Sequence, residues 1–302
     1  MSGERTLYDV ATIGNYTKDT IVSPAGTRQV DGGGFSYAAH AAAGLGLKVA
    51  AVTRLAAGDC RVLDTLEAAG IDVYACETPE STLMRLEYPT TDVDRRILTV
   101  AATAGSFSPV QVHPIDARAF VISPSIRGEV PLDVIREVKG KGTTVSLDVQ
   151  GFVRVAAPDG RLQHRDWPEK SAVLALVDIL KADAVEAAFL TGERDPETAA
   201  RSLAELGPSE VIVSHSDGLL VLADGEPHTA EFHPQSLIGR SGRGDTCLGS
   251  YVARRLTSPP AEATVWAAAL TSLKMETEGP FRREVAEIVD LLQQKYGMEL
   301  CA

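Results

Sequence analysis

The feature that most constrains the fold is a series of short apolar segments separated by helical patterns. Strands are predicted at residues 9–14, 49–53, 119–123, 145–148, 211–214 and either 173–177 or 179–184. Strands that alternate with helices are typical of parallel sheets, because a parallel connection needs a long crossover, usually a helix. The sequence therefore predicts an α/β fold, a three-layer sandwich with a mostly parallel sheet and helices on both faces.

One part of the chain departs from this alternation. Two extended runs, 82–88 and 96–102, are joined by a short segment at 89–95, which is the pattern of a β-hairpin.

With 302 residues, of which 44% are hydrophobic, the chain is long enough to bury one large core. We expect a single domain over residues 1–302.

Charge and hydropathy exclude several classes of function. The net charge is −12 at pH 7 without a basic cluster, which argues against a nucleic-acid partner. The sequence contains no uninterrupted apolar run of about 18 residues, so no membrane association is expected. Residues 1–5 lack the apolar region of a secretory signal, and the protein is therefore expected to be cytoplasmic.

A glycine-rich turn precedes an apolar helical segment at residues 240–250, which read R-S-G-R-G-D-T-C-L-G-S. Glycines let the backbone approach a ligand, and the free N–H groups of a helix start favour an anion. A hydroxyl placed between that anion and Asp245 would lose its proton to the carboxylate while attacking phosphorus. The alternative is a tight turn at Gly242 and Gly244 in which Asp245 is an ordinary helix cap. The chain has no G-x-x-x-x-G-K-[ST] phosphate loop, so phosphoryl transfer of the P-loop type is disfavoured.

Residues 241–245 resemble the second signature, T-G-A-G-D, of the ribokinase-like (PfkB) carbohydrate kinases. The resemblance implies that Asp245 is the catalytic base and that the amides from Gly242 to Gly244 hold the transferred phosphoryl group. Two positions depart from the family. Arg243 replaces the usual alanine and either contacts phosphate or points to solvent, and Gly239 stands where many members carry an acidic residue.

Residues 31–40, D-G-G-G-F-S-Y-A-A-H, resemble the family's first signature. The resemblance implies that Gly33 and Gly34 lie against the acceptor. Tyr37 replaces an asparagine that usually touches the substrate, which argues against ribose or fructose. Asp19 follows the first predicted strand at the spacing of an aspartate that, in this family, binds two neighbouring hydroxyls of the sugar. The alternative is that Asp19 simply starts a turn.

Residues 148–154, D-V-Q-G-F-V-R, together with G-G-G-F-S-Y, are similar to the archaeal-type myo-inositol kinases of this superfamily. By that similarity Asp148, Gln150 and Arg154 line the acceptor site at the end of a buried strand. A sister group with another polyol substrate is equally consistent with these short segments, and Arg154 could instead form an ordinary ion pair.

A donor side is implied by residues 183–186, D-A-V-E, which resemble the family's N-x-x-E element. Asp183 and Glu186 would share one helix face and hold Mg²⁺ through water, although an acidic surface turn is the alternative. The remaining nucleotide contacts implied by the resemblance are Ser214, Ser216, Gly218, the helical segment 266–273 and the turn at Gly279.

Taken together, the resemblance implies a ribokinase-like fold with a small β-lid built within about 16–30 and 82–102. It implies ATP-dependent phosphorylation of a hydroxyl on a small sugar or cyclitol, with myo-inositol preferred and Mg²⁺ as cofactor. A nucleoside or another sugar is the alternative acceptor, and a non-catalytic sugar or nucleotide sensor is the alternative from another class. A monovalent cation requirement and a homodimer through paired lids are left open.

Overall fold

A computed structural model describes residues 6–90 and 97–298. The strands are β1 (Leu7–Ile13), β2 (Thr17–Ser23), β3 (Gly26–Gly32), β4 (Val49–Ala56), β5 (Ile71–Thr78), β6 (Thr82–Glu87), β7 (Ile97–Ala102), β8 (Asp116–Ile122), β9 (Thr144–Asp148), β10 (Arg154–Ala156), β11 (Leu162–His164), β12 (Ile179–Asp183), β13 (Glu210–Ser214), β14 (Gly218–Ala223) and β15 (Glu226–Glu231).

The helices are α1 (Gly34–Gly44), α2 (Arg61–Glu67), α3 (Pro109–Val112), α4 (Leu132–Lys139), α5 (Gln150–Val153), α6 (Lys170–Leu174), α7 (Ala184–Thr191), α8 (Pro196–Ala204), α9 (Arg243–Arg255), α10 (Pro260–Met275) and α11 (Val285–Tyr296). Across residues 6–90 and 97–298, none of these helices has both the length and the apolar character needed to cross a bilayer.

The main sheet has nine strands in the order β15-β14-β13-β12-β9-β8-β1-β4-β5. Its strands from β13 to β5 are parallel, and β14 and β15 add an antiparallel edge. The predicted parallel sheet is thus confirmed. Of the two strand candidates that the sequence left open, 179–184 forms β12, whereas Val173 and Leu174 end the short helix α6.

Helices cover both faces of this sheet. Because side chains alternate along a strand, Ala11 and Ile13 of β1 pack on one side among residues of α4, α6 and α8, while Val10 packs on the other among residues of α1, α9 and α10. The three-layer prediction is therefore confirmed. The parallel strands all end at one edge, where open α/β sheets place their ligands.

A separate four-stranded sheet, in the order β3-β2-β6-β7, forms the lid. It combines both chain segments that the sequence gave to the lid, and its apolar face buries Ile21, Met84 and Leu86 against Ile126. The ion pair between Arg28 and Glu278, 2.8 Å long, ties the lid to the body. The hairpin connection from residue 91 to Arg96 lies outside the described residues. Assignment of residues 1–302 to one domain and pairing of two lids in a homodimer stay predictions.

Candidate active site

Two cavities meet at the carboxyl edge of the main sheet. A small one of about 90 Å³ lies under the lid, and a larger one of about 450 Å³ lies outside β12 and β13. The residues that line both cavities are Gln150, Arg154, Ser241, Gly242 and Asp245. A molecule in the small cavity and one in the large cavity would therefore be in contact at Asp245.

Helix α9 begins at this junction because of Gly242. Gly242 has φ of +75°, a conformation that favours glycine, and a Cβ there would overlap the ring of Tyr37. The first intrahelical bond runs from the Thr246 N–H to the Gly242 carbonyl at 2.9 Å. The preceding first-turn amides have no carbonyl of α9 to bind, and the N–H of Arg243 donates instead to the Arg240 carbonyl at 3.3 Å. The helix dipole adds positive potential. The glycine turn at Gly242 and Gly244 thus lies at a helix start, where an anion is favoured, and the role of the amides from Gly242 to Gly244 in holding a phosphoryl group stays a prediction.

The carboxylate of Asp245 projects from the first turn of α9 onto the backbone of Gly34. A Cβ on Gly34 would overlap Asp245 Oδ1 and lie 2.7 Å from the Cβ of Ser123. Burial raises the pKa of Asp245 to about 6, and the charge of Asp148 adds to the effect. A carboxylate with this pKa is deprotonated at neutral pH yet remains a useful proton acceptor.

The small cavity contains most of the residues that the sequence gave to the acceptor, and Asp148 is the exception. Asp19, Gly33, Gly34 and Tyr37 line it, and Gly33, with φ of +107°, has no room for a Cβ against the Asn15 carbonyl. Beyond these and the residues shared with the large cavity, the lining includes five residues that were not predicted as site residues, namely Thr17, Ser125, Met84, Leu86 and Leu98. The lid thus supplies an apolar cover from β6 and β7, and it also supplies polar groups from β2, which carries Thr17 and Asp19.

Asp148 lies one layer behind this surface. Its Oδ2 accepts a hydrogen bond from Lys181 Nζ at 2.9 Å, and both side chains are almost fully buried. Burial alone would lower the pKa of Lys181, but the charges of Asp148 and Glu186 raise it above its ordinary value. Lys181 lines the large cavity and so presents a fixed positive charge there. The prediction that Asp148 lines the acceptor site is not met, because Asp148 is buried against Lys181 and lines neither cavity.

Arg154 was interpreted either as a site residue or as a member of an ordinary ion pair, and its position is compatible with both. It lines both cavities, and its guanidinium is also 3.7 Å from Glu186 Oε1, so the predicted site contact and the alternative ion pair coexist. Gln150, at the start of α5, lines both cavities as well, and its N–H donates to Asp148 Oδ1 at 3.0 Å.

Asp183 and Glu186 form the N-terminal cap of α7. Each backbone N–H donates to the other residue's carboxylate, at 2.8 and 2.9 Å. Burial raises the pKa of Glu186 to about 7 despite the opposing charge of Lys181. Its Oε1 is buried without a hydrogen bond, whereas Asp183 lines the large cavity. Within residues 6–90 and 97–298, no three His, Cys, Asp or Glu side chains are grouped so that they would hold a metal ion directly. Asp183 lines the large cavity, whereas Glu186 is fully buried behind it, and a joint role of the two in holding Mg²⁺ through water stays a prediction.

Of the remaining residues predicted to contact the donor, some line the large cavity and the others do not. Ser214 and Ser216 line the large cavity beside Arg240 and Arg243. Gly218 instead begins β14, and a Cβ there would overlap the Ala230 carbonyl. Gly279 lines a third cavity of about 560 Å³ between the lid and the loop at 237–241. The helical segment 266–273 belongs to α10 and is buried in packing against neighbouring helices.

Two buried lysines were missed by the sequence analysis. Lys181 interrupts the otherwise apolar strand β12, and that interruption was the available signal. Lys274 lies at the end of α10, and nothing near it in the sequence identifies its partners. Both side chains reach the segment from 239 to 245 only through the packing of the fold.

Comparisons with known proteins agree with this geometry. A family model described as pfkB family carbohydrate kinase matches residues 7–281. A protein named cytidine kinase from Thermococcus kodakarensis is 25% identical over 268 residues, which cover 86% of this chain and 92% of that protein.

Two solved kinase structures have the same fold as this chain. A pyrophosphate-dependent kinase in the ribokinase family, complexed with a pyrophosphate analog and myo-inositol, superposes with a TM-score of 0.86 at 31% identity, covering 93% of this chain and 99% of the other. A ribokinase from Arabidopsis thaliana complexed with ribose and ATP has a TM-score of 0.74 at 20% identity, covering 95% of this chain and 99% of that chain. The latter likeness shows the fold alone.

Proposed function

Because the chain belongs to the pfkB family of carbohydrate kinases and is a phosphotransferase with an alcohol group as acceptor, we propose that it phosphorylates a hydroxyl of myo-inositol or a related cyclitol. The observation that carries this proposal is the position of Asp245 at the contact between the two cavities. The small cavity takes the cyclitol, and the large cavity takes the phosphoryl donor.

In this arrangement Asp245 accepts the proton of the acceptor hydroxyl as its oxygen attacks the phosphorus. The bond from phosphorus to the leaving oxygen breaks, and the amides at the start of α9 hold the transferred group. Lys181, Arg154 and Arg243 oppose the negative charge on the donor side. Mg²⁺, held through water by Asp183 and Glu186, would neutralise further phosphate charge when bound. Most of the barrier lowering comes from alignment and charge stabilisation.

The acceptor cavity favours a single polyol ring. Strand β2 of the lid offers polar groups from Thr17 and Asp19, and the body offers Ser125. Strand β6 of the lid offers the apolar side chains of Met84 and Leu86. Neighbouring hydroxyls on one ring suit a carboxylate acceptor such as Asp19, because the two oxygens accept from two donors in one plane. The solved relative at 31% identity that carries myo-inositol supports the same acceptor.

A nucleoside is the second candidate acceptor, and a specific observation favours it. The cavity of about 560 Å³ adjoins the acceptor site at Tyr37 and is also lined by Tyr88. A base could stack there while its ribose faces Asp245. The relative named cytidine kinase, at 25% identity, supports this alternative.

The sequence resemblance implied ATP as the phosphoryl donor, but we favour pyrophosphate. The charged residues lining the donor cavity are Arg154, Lys181, Arg240, Arg243, Asp183 and Asp245. Four of these six side chains are basic. Apolar lining is limited to Tyr88, Ala184 and Val185, and α10 is occupied by core packing. This composition suits a compact polyanion better than a purine ring, and the solved myo-inositol complex is itself described as pyrophosphate-dependent.

The proposal is tested with myo-inositol, other cyclitols, ribose and cytidine as acceptors, each with Mg-pyrophosphate or Mg-ATP as donor. Phosphorylated product is measured by ³¹P NMR, so that neither donor needs a coupled assay. Turnover of a cyclitol with pyrophosphate is expected. Turnover only with cytidine would overturn the acceptor, and turnover only with ATP would overturn the donor. Arg243→Ala should raise the KM for pyrophosphate far more than the KM for the cyclitol.

A further inference from the structure

Lys274 holds a buried positive charge directly behind the anion site. Its side chain is among the largest fully buried ones, with only 1% of the residue exposed. Nζ donates to the carbonyl of Gly239 at 2.5 Å and to the carbonyl of Ser241. The ring centroid of Tyr37 lies 5.1 Å away on a third side, within cation–π range. A buried ammonium is costly unless several partners compensate it, and here the partners come from the loop that leads into α9.

The segment that carries these carbonyls is also held by the backbone at the end of α10. The N–H groups of Ile238 and Gly239 both donate to the Met275 carbonyl, which fixes the segment over the end of α10. A Cβ on Gly239 would overlap the Thr277 carbonyl, so no side chain can be placed at this position. Gly239 therefore supplies no charged side chain to this segment, and the positive charge beside its carbonyl is that of Lys274.

This contact orients the amides of the anion site. In a trans peptide the C=O and N–H groups point in opposite directions. Because Lys274 holds the Ser241 carbonyl, the N–H of Gly242 in the same peptide points away from Lys274, and Gly242 lines both cavities. Without a cation behind it, this pair of buried carbonyls would be unsatisfied, and the peptides would be free to rotate.

Resting on the proposed function, we propose that Lys274 is a positioning residue that replaces a monovalent metal ion behind the anion site, so that turnover does not depend on K⁺. Backbone carbonyls are the ligands with which proteins bind K⁺. The ammonium occupies the same carbonyl pair with the same charge, and a second cation there would be repelled. The residues therefore do not fit the free monovalent cation that the sequence resemblance left open.

The first test needs no variant. Wild-type turnover is measured while KCl is exchanged for choline chloride at constant ionic strength. We expect unchanged kcat, and activation by K⁺ would overturn the proposal.

The second test uses Lys274→Met, which keeps the length of the side chain but removes its charge. We expect kcat to fall about 10²-fold, with little change in the acceptor KM, and K⁺ or NH₄⁺ to restore part of it. The matched control is Lys295→Met, on the exposed face of α11, which should behave as wild type. A folded Lys274→Met with normal kcat, or one that no cation restores, would contradict the proposal.

A third readout separates this inference from the proposed function. The thermal midpoint is compared in KCl and choline chloride without substrates. K⁺ should raise the midpoint of Lys274→Met and leave those of wild type and Lys295→Met unchanged, and this holds even if the acceptor or donor has been misassigned. If K⁺ raises the wild-type midpoint instead, the carbonyl site accepts a free ion, and the inference fails. Should Lys274→Met not fold, these wild-type measurements still decide the question.

Discussion

The ammonium of Lys181 and the carboxylate of Asp148 lie 2.9 Å apart, almost fully buried, directly beneath Gly244. A Cβ at Gly244 would lie only 2.5 Å from Lys181 Nζ, so the absence of a side chain at 244 is what allows the charge to reach the anion site. The pair thus connects strand β9, strand β12 and the first turn of α9 through one contact.

Breaking this pair is expected to be costly. Asp148→Asn leaves a buried ammonium without its carboxylate and should lower the free energy of unfolding by about 3–5 kcal/mol, as should Lys181→Met. The double variant removes both charges and should cost less than the sum of the two single changes. Urea denaturation of all four proteins measures this coupling, and strictly additive losses would show that the pair contributes nothing as a unit.

Asp245→Asn tests the catalytic base. Loss of a positioned base should lower kcat by about 10²- to 10⁴-fold, whereas donor affinity should stay nearly the same because the α9 amides and basic side chains remain. Steady-state kinetics and calorimetric donor binding measure the two quantities. Asp290→Asn, an exposed change on α11, is the matched control. Full residual activity in Asp245→Asn would remove Asp245 from the mechanism.

The pH profile should report the same carboxylate. Burial raises the pKa of Asp245 to about 6, and only the deprotonated form can accept a proton. Therefore kcat/KM should rise with pH up to about pH 6, falling about tenfold for each unit below it. The slope should be absent from the residual activity of Asp245→Asn. A profile that stays flat through pH 6 would mean that this group does not titrate in the free enzyme.

Gly34→Ala tests the close approach of backbone and base. A Cβ at Gly34 would overlap Asp245 Oδ1, so the carboxylate must move, and kcat should fall because misplacement by about 1 Å costs about 10²-fold. Gly58→Ala is the control, since a Cβ there meets no neighbour. Thermal melts accompany the kinetics. Equal kcat in both variants would show that the contact with Gly34 does not position Asp245.

The sequence predicted what depends on local patterns. The parallel strands, the lid segments and the glycine turn before Asp245 each have a short-range signal, either apolar periodicity or a required backbone conformation. Lys181 and Lys274 were not predicted as site residues, because a lysine in an apolar segment does not reveal which distant backbone it will meet. Gly218 and Gly279 were predicted to contact the nucleotide from their positions in the sequence. In the fold, Gly218 begins β14 and Gly279 lines a different cavity, and neither position could be read from a local pattern.

The contact between α1 and α9 has a consequence for how the protein is made. Gly249 allows α9 to lie directly on Ala38, and this packing brings Asp245 to Gly34. Gly34 and Asp245 thus come from segments that lie far apart in the sequence. While a ribosome is still translating the stretch before α9, the emerging chain lacks Asp245 and the start of α9, and with them the proposed base and anion site. We therefore expect no phosphoryl transfer from a product whose translation stops before α9.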